Sequence, residues 1–187
     1  MTSPNPHAID ADTLSGMKPL RKVVYSIGSN LGDRLGNLQG AVDALRDTPD
    51  VMIVDVSSVY ETEALGGPPD SPRFLNLIVV GESTLDPRTL LDRALAIEDA
   101  FGRRRTGERW APRTLDMDLI MVGNTKRDQD DLKLPHPLAH ERGFVLVPWQ
   151  EVDPTAELPG KGSISKLAAA ADTSGVVRRA DLIIESD

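Results

Sequence analysis

The chain has 187 residues, 40% hydrophobic and 27% charged, which suits one domain whose core needs no staples. It contains no cysteine, which excludes a disulfide framework and any cysteine-based zinc or redox site. The net charge of −8 argues against general binding to nucleic acid or anionic membranes, and no apolar run approaches the ~20 residues of a membrane span.

Residues 1–21 are polar, with neither the basic nor the apolar stretch of a secretory leader. They read as a flexible extension to a single domain at 22–187 of a cytoplasmic protein. Val23 to Ile27 is a short β-branched and aromatic run that ends in the turn-rich Gly28-Ser29-Asn30-Leu31-Gly32, which predicts a strand. Leu35, Leu38, Val42 and Leu45 then recur at helical spacing. Val51 to Tyr60 predicts a second strand, residues 65–72 a glycine- and proline-rich loop, and Phe74 to Val80 a third strand. Asp86-Pro87 is a helix start, Leu90, Ala94, Ile97 and Phe101 form its apolar stripe, and Gly102 is its stop. Leu115 to Val122 predicts a fourth strand. Pro135-His136-Pro137 is a rigid turn, Phe144 to Trp149 is apolar without a clear period, Ser163 to Ala171 predicts a helix, and Val177 to Ile184 a final extended piece. The order β-α-β-β-α-β predicts an α+β, ferredoxin-like split β-α-β domain: an antiparallel sheet with helices packed mainly on one face.

The segment Arg109-Trp110-Ala111-Pro112-Arg113-Thr114-Leu115-Asp116-Met117-Asp118-Leu119-Ile120 carries the most chemistry. Side chains alternate along a strand, so Leu115, Met117, Leu119 and Met121 share one face, which can bury. Asp116 and Asp118 share the other, where two carboxylates repel unless a cation lies between them. Hard oxygen ligands at this spacing suit Mg²⁺ completed by substrate phosphates. Taken alone, the pair reads better as a solvated strand face, because two aspartates at this spacing are common by chance. Its neighbourhood shifts the balance, because Arg103, Arg104, Arg105, Arg109 and Arg113 precede it in an otherwise acidic chain, and arginine pairs with phosphate oxygens in a planar fork. No glycine-rich phosphate loop of the known kinds is present. Glu98 is either a ribose contact or an exposed helix glutamate. Trp110 either stacks on a flat ring or packs. His136 and His140 are four apart, but Pro137 and the lack of a third soft ligand favour a phosphate contact by His136 over zinc.

Read together with Ile27-Gly28-Ser29-Asn30-Leu31-Gly32, Ser57-Ser58-Val59-Tyr60-Glu61-Thr62, Phe74-Leu75-Asn76, Leu134-Pro135-His136-Pro137 and Arg142-Gly143-Phe144, this segment resembles the signature of the 6-hydroxymethyl-7,8-dihydropterin pyrophosphokinase family of folate biosynthesis. The resemblance spans roughly residues 22–170. It implies transfer of pyrophosphate from ATP to the hydroxymethyl group of the pterin, with release of AMP. It also implies that Asp116 and Asp118 bind two Mg²⁺ ions with ATP, and that Arg103 and Arg113 stabilise charge during transfer. By the same resemblance Glu98, Arg105, Trp110, Leu119, His136, Pro137 and Arg142 hold ATP. Gly28, Thr62, Glu63, Ala64, Leu65, Phe74, Asn76, Trp110 and Phe144 line the pterin, and loops 65–72 and 103–113 are lids. The chain departs from the family's pattern at Glu63, Phe74, Leu95 and Pro137. The implied partners are the two small-molecule substrates, acting on a monomer without nucleic acid or membrane. The rival reading is a non-catalytic ferredoxin-like nucleotide-binding or regulatory module, which would not need the two aspartates beside the arginines. A ferredoxin-like RNA-binding module would show a basic balance and sheet aromatics, against 4% aromatics here.

Overall fold

The computed structural model describes residues 18–64, 68–102 and 114–186. The chain begins with β1 (Arg21–Ser29), α1 (Arg34–Arg46), β2 (Val51–Val56), β3 (Tyr60–Thr62), β4 (Phe74–Ser83), α2 (Pro87–Ala100) and β5 (Asp116–Val122). A hairpin of β6 (Arg127–Gln129) and β7 (Leu132–Leu134) follows, then a 3₁₀ turn at Ala139–Glu141 and α3 (Gly143–Val152). The chain continues through β8 (Glu157–Leu158), β9 (Gly162–Ser163), α4 (Ile164–Ala170) and β10 (Val177–Arg178). β4 and β1 are the middle of an antiparallel sheet ordered β10-β3-β4-β1-β5, and β2 pairs with the second half of β4 beside β3.

The element ends have local causes. Asp33 caps α1 by accepting from the Gly36 amide at 3.0 Å. Asp86 caps α2 by accepting from the Thr89 amide at 3.1 Å, with Pro87 in the first turn, and Gly102 ends it at φ +76°, which glycine adopts without strain. The second predicted strand is two: at Ser57 the side chain accepts the Ile78 amide at 2.9 Å, and the ladder breaks there before β3.

The sheet carries a core on each face. One joins Ile27, Leu77, Leu115, Met117 and Leu119 to Leu38, Val42 and Leu45 of α1 and to Leu90, Ala94 and Ile97 of α2, as the βαββαβ order predicts. The other joins Val24, Ile78, Val80 and Ile120 to Val145, Leu146 and Trp149 of α3 and to Ile164 and Ala168 beyond. The segment 144–149, without a clear period in sequence, is thus a helix that is apolar nearly all round because it is covered by sheet and α4. Met121 corrects the simple alternation: it lies in the second core, not beside Leu115, Met117 and Leu119. The register slips between Val24 and Tyr25, which pair with Met121 and Leu119. Ile120 is the extra residue of the bulge, and Val122 takes the place expected for Met121. The last extended piece is strand only at Val177–Arg178. Beyond it, Leu182 and Ile184 pack on the first core.

Candidate functional site

The face that α3 and α4 cover is apolar at one end and polar at the other. The polar end follows from the ladder. Asn76 of β4, Gly28 of β1 and Asp116 of β5 are direct register partners, and Ile78, Ser26 and Asp118 form the next row. Adjacent strands lie ~4.8 Å apart, so roughly 10 Å separates the Asn76 and Asp116 backbones. Gly28 has to be glycine here: a Cβ would stand 2.7 Å from Asn76 Oδ1 and 3.3 Å from Phe74 Cδ1. Asn76 Nδ2 donates to Thr62 Oγ1 at 2.7 Å, and both side chains are buried. Gly28, Thr62, Phe74 and Asn76, expected to line the pterin, are therefore neighbours across three strands. Glu63 departs from that group; its side chain is exposed and meets Arg73 at 3.8 Å.

At the other end, Asp116 and Asp118 face the loop after β7 and the start of α3. Arg142 Nη1 is 3.7 Å from Asp118 Oδ2, and its guanidinium lies over the Phe144 ring at 5.5 Å from the centroid. His136 is held by its backbone, whose amide donates to the Ile120 carbonyl at 2.8 Å, after a cis Leu134-Pro135 bond. Its Nδ1 accepts from the Leu138 amide at 3.2 Å, which leaves Nε2 as the ring's donor. Burial first, then the Arg142 charge, push the imidazole pKa down to about 4, with Asp116 opposing. The ring is a neutral donor at pH 7, and hydrogen bond and electrostatics agree on this.

A cavity of about 340 Å³ opens beyond β5, between α2 and the β6–β7 hairpin. Glu98, Asp116, Asp118, Leu119, His136 and Pro137 all line it, so six residues expected to hold metal or nucleotide converge on one space. Glu98 is 1% exposed, which removes the reading of it as a solvated helix residue. Arg142 joins through Asp118. His140 instead sits in the 3₁₀ turn against Glu141, at 3.3 Å. Leu65, Arg103, Arg105, Trp110 and Arg113 lie outside the described residues. So do Arg104 and Arg109 of the arginine cluster.

Sequence reasoning missed the hairpin, which supplies Asp130, Asp131, Leu132 and Lys133 to the cavity wall. The Leu132/Leu134 alternation after a polar Asp130-Asp131 turn was its signal. Arg88 of α2 fixes it through Asp131, at 2.6 and 3.1 Å, and through Gln129.

The donor set can be tested against a metal. Asp116 and Asp118 offer hard oxygens from one strand face, and among the described residues no three or more acidic, histidine or cysteine side chains come together so that they alone could hold a metal ion. Two carboxylates make a poor closed cage but suit Mg²⁺, which keeps waters and takes substrate phosphates as further ligands. The residues fit that ion.

A carboxylate pair on a cavity wall, with a guanidinium beside one of the two, suits an enzyme that handles a polyphosphate. The comparisons with known proteins make the class specific. The family model of 7,8-dihydro-6-hydroxymethylpterin-pyrophosphokinase (HPPK) matches residues 24–154. The 2-amino-4-hydroxy-6-hydroxymethyldihydropteridine pyrophosphokinase of Mycobacterium tuberculosis is 43% identical over 153 residues, 76% of this chain and 78% of that protein. Its namesake in Pseudomonas aeruginosa is 38% identical over 159 residues, 85% and 97% of the two chains. The crystal structure of wild-type Plasmodium falciparum HPPK-DHPS shares the fold, at a TM-score of 0.62 and 14% identity, over 83% of this chain. This chain spans only 42% of that longer one. The chain is an ATP-dependent diphosphotransferase, and it belongs to the HPPK family.

Proposed function

We propose that the chain transfers the terminal diphosphate of ATP to the hydroxymethyl oxygen of 6-hydroxymethyl-7,8-dihydropterin in tetrahydrofolate biosynthesis. The pterin oxygen attacks the β-phosphorus and loses its proton. The bond from that phosphorus to the oxygen bridging the α-phosphate breaks, and AMP leaves. Asp116 and Asp118 would hold a pair of Mg²⁺ ions, which when bound would neutralise charge on the phosphate oxygens.

The remaining roles belong to this chain's own side chains. His136 donates from Nε2 to a phosphate oxygen, and Arg142 supplies positive charge beside Asp118. Glu98, Leu119 and Pro137 line the nucleotide's space. Phe74 and Phe144 flank the pterin, and Thr62 and Asn76 read its edge. Arg103, Arg113, Arg105, Trp110 and Leu65 take the roles the family resemblance gives them. The protein works as a cytoplasmic monomer on small molecules, without nucleic acid or membrane. The net charge of −8 weighs against nucleic acid and anionic membranes as partners. No helix among the described residues is long and apolar enough to cross a membrane.

The observation that carries the reading is the ladder row that places Asn76, Gly28 and Asp116 side by side. It supports the reading by setting Asn76, on the side assigned to the ring, two strands from Asp116, on the side assigned to the phosphates. Incubation with Mg-ATP and the pterin, followed by chromatography of the nucleotides, tests it: AMP is the expected product. ADP would leave an ordinary kinase, and no turnover would leave a nucleotide-binding module.

A further inference from the structure

The end of the chain returns to the pterin side of the site. β10 pairs antiparallel with β3, Val177 against Glu61 and Arg178 against Tyr60, and the Arg179 amide donates to the Val59 carbonyl at 2.8 Å. Arg179 Nη1 reaches Glu61 Oε2 at 3.1 Å while its other nitrogens hold Asp181 at 2.9 and 2.8 Å. Glu61 also receives Arg34 from the start of α1, at 2.9 Å, and lies 4.0 Å from Arg73 at the head of β4. Arg34 in turn donates to the Arg73 carbonyl at 3.0 Å. Further on, the Glu185 amide donates to Gln39 Oε1 at 2.7 Å, and its carbonyl accepts from Gln39 and Arg46 of α1 at 3.1 and 3.0 Å. Residues 177–186 are thus fastened at both ends, and they lie outside the 24–154 matched to the family model.

The strand they fasten is short. β3 has three residues, and its last, Thr62, accepts from Asn76. A strand of that length held on one side only opens readily, since each lost pairing removes a large share of its bonds. Glu61 points away from Thr62 by strand alternation, so it touches the frame and not the substrate. Its single carboxylate gathers three guanidinium groups from three separate pieces of chain. Without it, those cations would face one another.

We propose that residues 177–186 are a brace for the pterin end of the site, acting through Arg179 and Glu61 to hold β3 so that Thr62 and Asn76 keep their spacing. Both are positioning residues. The proposal rests on the reading of Thr62 and Asn76 as substrate contacts.

Steady-state kinetics on the full chain test it. Arg179→Ala is expected to raise the pterin KM about tenfold while kcat and the ATP KM stay within about twofold. Arg179→Lys is expected to recover most of the loss, and amide exchange at Tyr60 to Thr62 is expected to speed up in Arg179→Ala. Asn76→Ala is the control for the site reading and is expected to raise the pterin KM at least as much. If Asn76→Ala raises it and Arg179→Ala does not, the brace is overturned and the site reading stands. If neither does, the site reading has failed and the brace with it. Equal losses toward ATP and pterin also overturn the proposal, because they mark a general loosening. Should Arg179→Ala not fold, Arg179→Gln is judged by the same split.

Discussion

Asp116 and Asp118 share a face because a strand repeats every two residues, and both reach the cavity beyond β5. Replacing Asp118 with asparagine keeps the shape and removes the charge. Turnover at saturating Mg-ATP is expected to fall by about 10³-fold, some 4 kcal/mol of transition-state stabilisation. The fold is expected to survive, because Leu115, Met117, Leu119 and Val122 carry the buried face. Circular dichroism on the same sample separates lost chemistry from lost structure. Turnover within about tenfold of the parent would make the pair a mere surface feature. His136 gives a second residue-level expectation. Its folded pKa of about 4 lies below the ordinary 6.5. The unfolded chain therefore takes up the proton first as pH falls, and this contribution to stability, full above 6.5, is lost between there and about 4. In ligand-free protein the ring's proton NMR signal is expected to titrate near 4; a midpoint near the ordinary value would show a solvated ring.

At the scale of elements, α2 matters most, because it carries Glu98 to the cavity and Arg88 to the hairpin. Its cap is Asp86, whose carboxylate accepts from the Thr89 amide and hydroxyl, and these bonds hold its pKa below the usual value. Asp86→Ala is expected to cost about 1 kcal/mol at neutral pH by chemical denaturation. The depressed pKa means the cap's contribution is present above the unfolded value and fades as pH falls through the folded one, so parent and variant are expected to converge in acid. An unchanged midpoint at pH 7 would mean that packing alone sets the helix start. This element was legible in sequence, cap, stripe and stop together, because all its signals are local. That Asp116, Asp118 and His136 belong together was legible through a long signature of mixed chemistry, and they line one cavity. Met121 was not, because a bulge depends on the partner strand's register and leaves no mark in the strand's own alternation. The β6–β7 hairpin was missed because its strands are three residues long, too short for a period to emerge. The C-terminal brace was hidden for a related reason: Arg179 and Glu61 are 118 positions apart, and nothing near either one announces the other.

At the scale of the molecule, one sheet is shared by two cores that do different work. The first, under α1 and α2, belongs to the βαββαβ unit. The second, under α3 and α4, covers the apolar end of the face whose polar end is the site, and α3 also carries Phe144. Leu38 and Leu146 are both fully buried, one in each core. Truncating either to alanine is expected to cost about 2–5 kcal/mol through lost burial and the cavity left behind. The sheet lies between them, and the two side chains belong to separate cores. Their costs are therefore expected to add within about 0.5 kcal/mol in the double variant. Because both cores grip the same strands, the loss of one exposes the back of the other, and unfolding is expected to remain a single transition by fluorescence and circular dichroism alike. Activity is expected to divide the pair. Leu146→Ala loosens the helix behind Phe144 and raises the pterin KM, whereas Leu38→Ala lowers stability with a smaller change in KM. Two resolved transitions in Leu146→Ala would mean that the second layer folds as its own unit and that the site's far wall is only docked against the sheet.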